Sequence, residues 1–450
     1  MFVNRANELE AINKIIESDM AEFTIIYGRR RVGKTELLKQ ILDHDAIYFL
    51  GRLESPSDQL RRLSQLVAEK LKDEKVGKFP FRNWDEALHY FYEHPTIVIF
   101  DEFPYMVLTE PNLLSVLQDY WDNYLKKTKV KVFLCGSSIA MVEKQLFDYS
   151  SPLYGRRTKQ LKIEPFKFKD IVEFFPDRKI EELIEIFAVL GGTPAYLLEF
   201  DGDIFRTIEN KLLRKEEFLY KDAEFVLRDE LKEPRYYFSI IKSVALGNTS
   251  VGGIMNDTGL GKDVVSKYLS VLCDLDIVVR KVPVTEDIKS RKGIYKIKDN
   301  FFNFYFRFVY PNLEYVEIGE TGYLIQRVKE GFSKYLGSVF EDICIELLIE
   351  MNKKDGLPFG FTKIGGWWHK GEEIDIVAIN ESTKEVLFAE AKYKSKKVGI
   401  KTLENLRERS AKVKWFNKER KEHFMLISRA GFENALRKEG ALLLTLDDLA

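Results

Sequence analysis

The chain has 450 residues, of which 45% are hydrophobic and 31% charged, and its formal net charge is −1. This apolar content excludes a disordered protein, and the nearly neutral total confines any nucleic-acid-binding surface to a local basic patch. The three cysteines and five histidines show no zinc-ligand spacing, and so few cysteines fit a reducing compartment. The charged N-terminus has no apolar core and no apolar run approaches membrane-spanning length, so we expect a cytoplasmic protein without a membrane partner.

The first part of the chain, residues 1–165, alternates short apolar runs with helical stretches. The runs are residues 23–27, 46–50, 96–100, 130–136 and 159–166. Nearly continuous apolar runs separated by helices are typical of a parallel sheet that helices cover on both faces. The sequence therefore predicts an α/β three-layer core for this part.

A glycine-rich segment, GRRRVGKT, follows the first apolar run and precedes a helical pattern. It matches G-x-x-x-x-G-K-[ST] at every fixed position. Such a loop wraps its backbone N–H groups around phosphates, and we expect Lys34 to reach the β- and γ-phosphates and Thr35 to hold Mg²⁺. The segment predicts a site for ATP or ADP with Mg²⁺. Its residues are Gly28, Arg29, Arg30, Arg31, Val32, Gly33, Lys34 and Thr35.

Acidic residues follow the apolar run 96–100. Asp101 stands where it can bind the Mg²⁺ shell. Glu102 is a candidate base for the attacking water, or alternatively a solvated loop acid. Ser137 follows the next run, 130–136, and either senses the γ-phosphate or has a structural role.

The middle of the chain predicts two further domains. Residues 166–232 are helical and are expected to form a lid. Residues 233–312 show three helices and two β-rich stretches joined by a basic loop, residues 285–292, as in a winged helix-turn-helix. Cations on the third helix and around the loop suit DNA phosphates, although packing against the ATPase is the rival role. These cations are Lys262, Lys267, Arg280, Lys281, Lys289, Arg291 and Lys292. The aromatic segment 301–312 is predicted to be an interdomain packing element, with base stacking as the alternative.

The last domain, residues 313–450, carries a second chemical signal. A long helix around 333–351 contains Glu341, and a predicted hairpin, 372–392, carries Asp375, Glu390 and Lys392. Glu390 and Lys392 are two residues apart and share one face of their strand. Carboxylates beside a lysine suit Mg²⁺-dependent phosphodiester hydrolysis, with Asp375 and Glu390 as metal ligands. A solvated acid–lysine surface is the alternative. A helix near 400–411 follows, and the end of the chain predicts a strand, a helix at 431–440 and a final strand.

Several motifs together resemble the archaeal ATPase family within the STAND branch of AAA-like NTPases. The resemblance covers roughly residues 1–310 and rests on FVNRANELEAI, GRRRVGKT, FDEF, LCGSS, SPLYGRR and LGGTPAYLL. It implies that Pro194, in Gly-Thr-Pro, contacts adenine and that Arg5 closes the base pocket. It also implies a phosphate-sensing or finger role for Arg156 and Arg157, for which a surface basic pair is the alternative.

Residues 313–450 resemble the DUF234 domain and the PD-(D/E)xK nuclease fold. The matching positions are Glu341, Asp375 and the triplet Glu390-Ala391-Lys392. The resemblance implies a restriction-endonuclease-like α/β domain, a fold that can persist without activity.

Two functions follow from these observations. One is an ATP-hydrolysing switch that controls a DNA-directed effector, with the last domain as a Mg²⁺-dependent nuclease. The other is a signalling or scaffold ATPase in which nucleotide governs homo-oligomer assembly and the last domain is an inactive docking module.

Overall fold

The computed structural model describes residues 4–231 and 234–449. The start of the predicted opening motif and the predicted boundary at 232/233 therefore lie outside the described residues. The chain divides into two compact units, one of residues 1–165 with Thr193–Ala195 and one of Phe166–Gly192 with Tyr196–Ala450. The finer division into four domains stays a prediction.

The first unit is built around a five-stranded parallel sheet. The strand order is β2-β3-β4-β1-β5, and all four pairings are parallel. Its strands are β1 (Glu22–Tyr27), β2 (Ile47–Leu50), β3 (Ile97–Asp101), β4 (Lys131–Gly136) and β5 (Lys159–Lys162). Its helices up to residue 165 are α1 (Ala6–Glu17), α2 (Lys34–Ile41), α3 (Pro56–Leu71), α4 (Glu74–Lys78), α5 (Trp84–Glu93), α6 (Phe103–Thr109), α7 (Leu113–Asn123) and α8 (Ile139–Val142).

The predicted α/β core with a parallel sheet is confirmed. Two buried clusters contain alternate residues of the same strand, with Phe23 and Ile25 in one and Ile26 in the other, so apolar side chains cover both faces of β1. The fifth strand is shorter than the predicted run 159–166, because β5 pairs with β1 only as far as Lys162. Pro165 lacks the N–H that a longer ladder requires.

The second unit begins with helices and a small two-stranded sheet. The helices through the aromatic segment are α9 (Phe168–Phe174), α10 (Ile180–Leu190), α11 (Pro194–Leu197, which begins in the first unit), α12 (Ile204–Thr207), α13 (Asp222–Glu230), α14 (Pro234–Ala245), α15 (Val251–Thr258), α16 (Lys262–Asp274) and α17 (Asn300–Phe304). The strands β6 (Val278–Lys281) and β7 (Ile294–Ile297) pair antiparallel. The order from α14 to β7 is the order predicted for a winged helix-turn-helix.

The aromatic segment 301–312 lies in the interior of the second unit. Phe301, Phe302 and Tyr305 are almost completely buried. The Tyr305 hydroxyl donates to Glu224 at 2.9 Å, which satisfies the polar end of this buried ring. These rings are therefore packing residues, and whether the segment joins separate domains stays a prediction.

The C-terminal part of the second unit contains a mixed five-stranded sheet in the order β12-β11-β10-β9-β8. Pairings from β8 to β10 are antiparallel, and those from β10 to β12 are parallel. Its strands are β8 (Lys363–His369), β9 (Glu372–Asn380), β10 (Glu385–Lys392), β11 (Lys421–Ser428) and β12 (Leu442–Leu444). Its helices are α18 (Leu313–Glu317), α19 (Thr321–Lys353) and α20 (Ile400–Ser410).

Two local expectations in this part differ from the structure. The helix predicted at 431–440 is wrong, since only a 3₁₀ turn at Asn434–Lys438 forms between Gly431 and Gly440, which both have positive φ. The strand β8 had no predicted counterpart, because its two central glycines and a register shift after Gly365 obscure the alternation. Among the described residues no helix combines the length and apolarity needed to cross a bilayer.

Candidate functional site

The loop of residues 28–35 joins β1 to α2 and depends on its glycines. Gly28 and Gly33 both have positive φ, at 154° and 94°. A Cβ atom on Gly28 would lie 2.2 Å from the carbonyl oxygen of Ile163, so only glycine fits there. Arg31 adopts φ 70°, a conformation that a non-glycine residue rarely takes and that often marks ligand-binding loops.

The lysine of the loop is held inside it. Lys34 is the first residue of α2 and is 5% exposed. Its Nζ donates to the carbonyl oxygens of Gly28 and Arg29, each at 2.8 Å. The ammonium group thus lies at a helix N-terminus, where backbone N–H groups and the helix dipole also favour an anion. This arrangement fits the phosphates of a nucleotide.

The carboxylate of Asp101 faces the hydroxyl of Thr35. Thr35 Oγ1 lies 3.5 Å from Asp101 Oδ2, and Asp101 is 3% exposed at the end of β3. The Tyr48 hydroxyl, from β2, donates to the same Oδ2 at 2.6 Å. Burial, then the hydrogen bond to Asp101, raises the pKa of Tyr48, which therefore remains a donor at neutral pH. A hydroxyl and a carboxylate beside a phosphate-binding loop fit Mg²⁺, which takes oxygen ligands and retains several waters.

Glu102, the candidate base, and Ser137, the candidate sensor of the γ-phosphate, contact each other. Glu102 follows β3 with φ 50°, and the Ser137 hydroxyl at the end of β4 donates to its Oε1. The neighbouring strands therefore hold the candidate base in a defined position.

Two residues from distant parts of the chain also reach the loop. Arg5 is 8% exposed, and its Nη2 donates to the carbonyl oxygens of Val32 and Glu164, each at 2.8 Å. A methyl group on Gly33 would lie 3.9 Å from Cγ of Pro194. The structure thus places both residues that the family resemblance implies for the base pocket beside the loop.

Three further arginines that the sequence predicts as site residues, Arg30, Arg156 and Arg157, each contact another side chain. Arg30 Nη2 donates to the Tyr105 hydroxyl at 2.5 Å. Arg156 pairs with Asp122 at 2.9 Å. Arg157 donates to Gln160 at 2.7 Å, and its guanidinium lies 4.7 Å from the ring centre of Phe147. A phosphate-sensing role for Arg156 and Arg157 stays a prediction.

The acid and lysine residues predicted in the last domain come together. Asp375 lies on β9, and Lys392 Nζ lies 3.2 Å from its Oδ2 and 2.5 Å from Oε1 of Glu390 on β10. The backbone N–H of Ala391 also donates to Asp375 at 3.0 Å. Burial lowers the pKa of Lys392, but Asp375 and Glu390 outweigh it, so the net shift is upward and the ammonium stays charged.

Glu341 on α19 is the remaining acid that the sequence predicts for this site. Its pKa is raised to about 8, first by burial and then by the negative charge of Asp375, while Lys296 opposes the shift. A carboxyl group with this pKa is largely protonated at neutral pH, and a cation placed between it and Asp375 would favour its ionised form.

An arginine that the sequence analysis did not single out holds the other side of Glu390. Arg409 of α20 contacts Glu390 Oε2 at 2.8 Å, so both oxygens of this carboxylate, which is 3% exposed, have cationic partners. Among the described residues no group of three or more His, Cys, Asp or Glu side chains is placed to hold a metal ion. Asp375 and Glu390 still fit Mg²⁺, which commonly binds through one or two carboxylates and several waters.

Tyr48 and Arg409 are the contributors that the sequence did not reveal. Tyr48 belongs to an apolar run, and Arg409 belongs to a helix with many charges. Neither position carries a local motif, and only the pairing of strands and the docking of α20 bring them to their carboxylates.

The parallel sheet, the loop between β1 and α2, and the Asp101–Thr35 pair define a P-loop NTPase. The chain belongs to an archaeal ATPase family with a C-terminal DUF234 domain. Residues 2–200 match the ATPase domain found predominantly in Archaea, and residues 305–421 match DUF234, described as archaeal and bacterial proteins of unknown function.

The chain is similar over most of its length to the following proteins. An uncharacterized protein of Methanocaldococcus jannaschii is 40% identical over 398 residues, which cover 88% of each chain. A second uncharacterized protein of that organism is 28% identical over 371 residues, 76% of this chain and 68% of the relative. The Walker-type ATPase of Pyrococcus abyssi shares the fold with a TM-score of 0.51 and 22% identity, over 68% of this chain and 96% of that one.

Proposed function

We propose that the protein is an ATP-hydrolysing switch whose second unit is a DNA-directed, Mg²⁺-dependent nuclease. The observation that carries the proposal is the contact of Lys392 with both Asp375 and Glu390, in the same chain as a complete phosphate-binding loop.

In the nucleotide half, Lys34 and the backbone N–H groups of the loop bind the phosphates. Thr35 and Asp101 would hold Mg²⁺, which neutralises charge on the phosphates. Glu102 orients the attacking water and accepts its proton, and the Ser137 hydroxyl fixes the carboxylate in position.

Chain connectivity supports control of the second unit by nucleotide. Thr193–Ala195 belong to the first unit, whereas the residues on both sides belong to the second. Within the second unit, the Gly192 carbonyl accepts from Phe166 at 2.7 Å and the Tyr196 hydroxyl donates to Asp222 at 2.7 Å. A displacement of Pro194 by bound nucleotide would therefore be transmitted to anchored residues on either side.

In the nuclease half, Asp375 and Glu390 would hold Mg²⁺, which activates water for attack on a phosphodiester. Lys392 stabilises the negative charge that develops on the phosphate, and the charge of Asp375 contributes to the raised pKa of Glu341. We infer that α14–α16 with the β6–β7 hairpin act as the winged helix-turn-helix that directs this unit to DNA.

The ATPase half is tested with two variants of the full chain. Lys34→Ala is expected to weaken ATP binding at least 100-fold, whereas Glu102→Gln binds ATP normally and hydrolyses it about 100-fold more slowly. Normal turnover by Glu102→Gln would remove that residue as the base. Lys39→Ala, on the exposed side of α2, is the matched control.

The nuclease half is tested with Mg²⁺ on duplex DNA, single-stranded DNA and RNA, with and without ATP. We expect DNA cleavage that Asp375→Ala and Lys392→Ala each abolish and that the exposed control Lys412→Ala retains. Absence of cleavage under every condition would refute the nuclease, and unchanged cleavage by either variant would refute the site.

One observation favours a signalling or scaffold ATPase as a second candidate. Both oxygens of Glu390 already contact cations, Lys392 and Arg409, which also suits a structural cluster in an inactive docking module. Light scattering with ADP and with a non-hydrolysable ATP analogue discriminates between the two functions. Nucleotide-dependent oligomers without DNA affinity would favour the scaffold.

A further inference from the structure

The loop between β6 and β7 is attached to the mixed sheet of the second unit. The N–H of Val284 donates to the carbonyl of Gly366 at 3.0 Å, which extends the hydrogen bonding of edge strand β8. Val284 belongs to the same apolar core as Trp367. Farther along, the indole N–H of Trp368 donates to the carbonyl of Lys292 at 2.9 Å.

Several cations of this hairpin already form ion pairs or donate hydrogen bonds to backbone carbonyls. Lys281 pairs with Asp342 at 2.7 Å, and Lys292 pairs with Glu286 at 2.5 Å. The guanidinium of Arg280 donates to two carbonyls of the loop. Lys289 and Arg291 are exposed, and neither side chain forms an ion pair with another described residue. These two are therefore available for an external anion.

A second basic segment begins directly after Lys392. Lys394, Lys396, Lys397 and Lys401 are exposed and form no ion pair within the described part of the chain. We call this segment, residues 393–401, the lysine loop. The lysine loop thus presents four exposed cations within eight residues, none of which pairs with an acid among the described residues.

The lysine loop is anchored at Lys392 and at Val398, and its last two residues begin α20. The Lys392 carbonyl accepts from the Arg429 N–H at 3.1 Å, and the Val398 N–H donates to the carbonyl of Gly431 at 3.0 Å. Tyr393 and Val398 are buried. The intervening lysines are thus presented on a fixed backbone, which lowers the entropy lost when they bind a partner.

Both basic segments lie at the same end of the sheet as the acid–lysine cluster. Trp368 of β8 pairs with Glu373 of β9. Continuing the β9–β10 register places Lys392 opposite Glu373, consistent with the contact between Lys392 and Asp375. At this end of the sheet, the β6–β7 loop therefore lies beside the edge strand β8. The acid–lysine cluster follows on β9 and β10, and the lysine loop lies beyond it.

We propose that a DNA backbone crosses this end of the sheet and is bound on both sides of the cluster. The lysine loop contacts phosphates on one side, and Lys289 and Arg291 contact them on the other. The inference rests on the DNA-directed function proposed above and identifies the surface that would hold the substrate.

Salt-dependent binding of a fluorescent duplex to the full chain, with Mg²⁺ omitted so that the probe stays intact, tests the surface. The slope of log K against log salt is negative, and each lost phosphate contact lowers its absolute value, called the slope below, by about 0.9. We expect Lys396→Ala/Lys397→Ala and Lys289→Ala/Arg291→Ala each to lower the slope by about 2 and the affinity by about tenfold or more near 0.1 M salt. The quadruple variant should lose about 4 from the slope, because one DNA molecule contacts both segments.

The matched control is Lys126→Ala/Lys127→Ala, an exposed pair in the first unit, which should bind like the wild type. Unchanged melting temperature and ATP binding show that the variants are folded. If the wild type binds DNA and either basic pair can be removed without effect, the surface is wrong while the proposed function stands. If the wild type binds no DNA, the DNA-directed function fails and the surface fails with it.

Discussion

The hydroxyl of Tyr48 donates a 2.6 Å hydrogen bond to Oδ2 of Asp101, the same oxygen that faces Thr35 Oγ1. The second oxygen, Oδ1, accepts from the N–H of Glu102 at 2.9 Å. The carboxylate is therefore held through both oxygens beside the Thr35 hydroxyl, an orientation that suits the proposed Mg²⁺ site.

Tyr48→Phe is expected to raise the Mg²⁺ concentration needed for half-maximal ATP hydrolysis about tenfold, since a hydrogen bond to a charged group contributes roughly 1.5–3 kcal/mol. Hydrolysis is measured over a Mg²⁺ titration at saturating ATP. Tyr90→Phe is the control, because it removes a comparable bond from a tyrosine to Asp73 away from the loop. An unchanged Mg²⁺ requirement in Tyr48→Phe would limit Tyr48 to packing.

The contact between Ser137 and Glu102 leads to a second prediction. Ser137→Ala removes the donor that fixes the candidate base, so we expect kcat to fall about tenfold with little change in ATP affinity. Steady-state hydrolysis and equilibrium ATP binding measure the two effects.

The neighbouring serine supplies a control for this prediction. Ser138 accepts from the N–H of Met141 and caps α8, so Ser138→Ala should lower stability by about 1 kcal/mol while hydrolysis is kept. Equal losses of kcat in the two serine variants would mean that Ser137 acts through the local fold and not through Glu102.

The nucleotide site could be predicted from sequence to the extent that its geometry is local. The loop 28–35 and the acids after β3 occupy fixed positions relative to their own strands, so the motif determines them. Tyr48 could not be predicted in the same way, because its role depends on the pairing of β2 with β3. Only the family resemblance implies roles for Pro194 and Arg5. Both residues are far from the loop in sequence, and contacts between residues so far apart leave no local pattern.

The second unit shows the same limit. Alternation in β9 and β10 was enough to place Asp375, Glu390 and Lys392 on neighbouring strands. The sequence does not predict the attachment of the β6–β7 loop to β8, because β8 lacks a regular alternation of apolar and polar residues. Val284 also has no feature that distinguishes it from other apolar residues near a strand end. The helix α19 begins at Thr321, well before the predicted 333, since its first turns have a mixed composition that only packing resolves.

Glu346 is expected to make the stability of the second unit depend on pH. Its pKa is raised to about 7, first by burial, with Asp342 and Asp170 adding to the shift. The N–H of Phe168, which donates to Glu346 at 3.0 Å, and the charge of Lys167 oppose it. Between pH 4.5 and 7 the native protein keeps a proton that the unfolded chain has released, so the free energy of unfolding falls as pH rises through this window.

Glu346→Gln should remove the part of this dependence that Glu346 causes, because an amide can accept the same hydrogen bond without titrating. The raised pKa of Glu341 acts in the same direction and should leave a residual slope in the variant. Chemical denaturation of wild type and variant at several pH values between about 5 and 8 measures the difference. The pKa of Glu350 is lowered by its hydrogen bond to Lys353, so Glu350→Gln should keep the wild-type pH profile in this range. Parallel profiles for wild type and Glu346→Gln would show that Glu346 titrates normally.

Arg409 is expected to stabilise the acid–lysine cluster by its charge. Glu390 is almost completely buried, and removal of one partner of a buried pair is costly. Because Arg409 is partly exposed, we expect Arg409→Ala to lower the free energy of unfolding by about 2 kcal/mol.

In a Glu390→Gln background the same substitution should cost less than about 1 kcal/mol, since no buried charge remains to be compensated. The control Lys412→Ala breaks a more exposed pair with Glu372 and should cost less than about 0.5 kcal/mol. Arg409 Nη1 also donates to the carbonyl of Glu373 at 2.6 Å. Equal costs of Arg409→Ala in both backgrounds would assign its contribution to that bond and to packing, and would leave Lys392 as the residue that compensates the charge of Glu390.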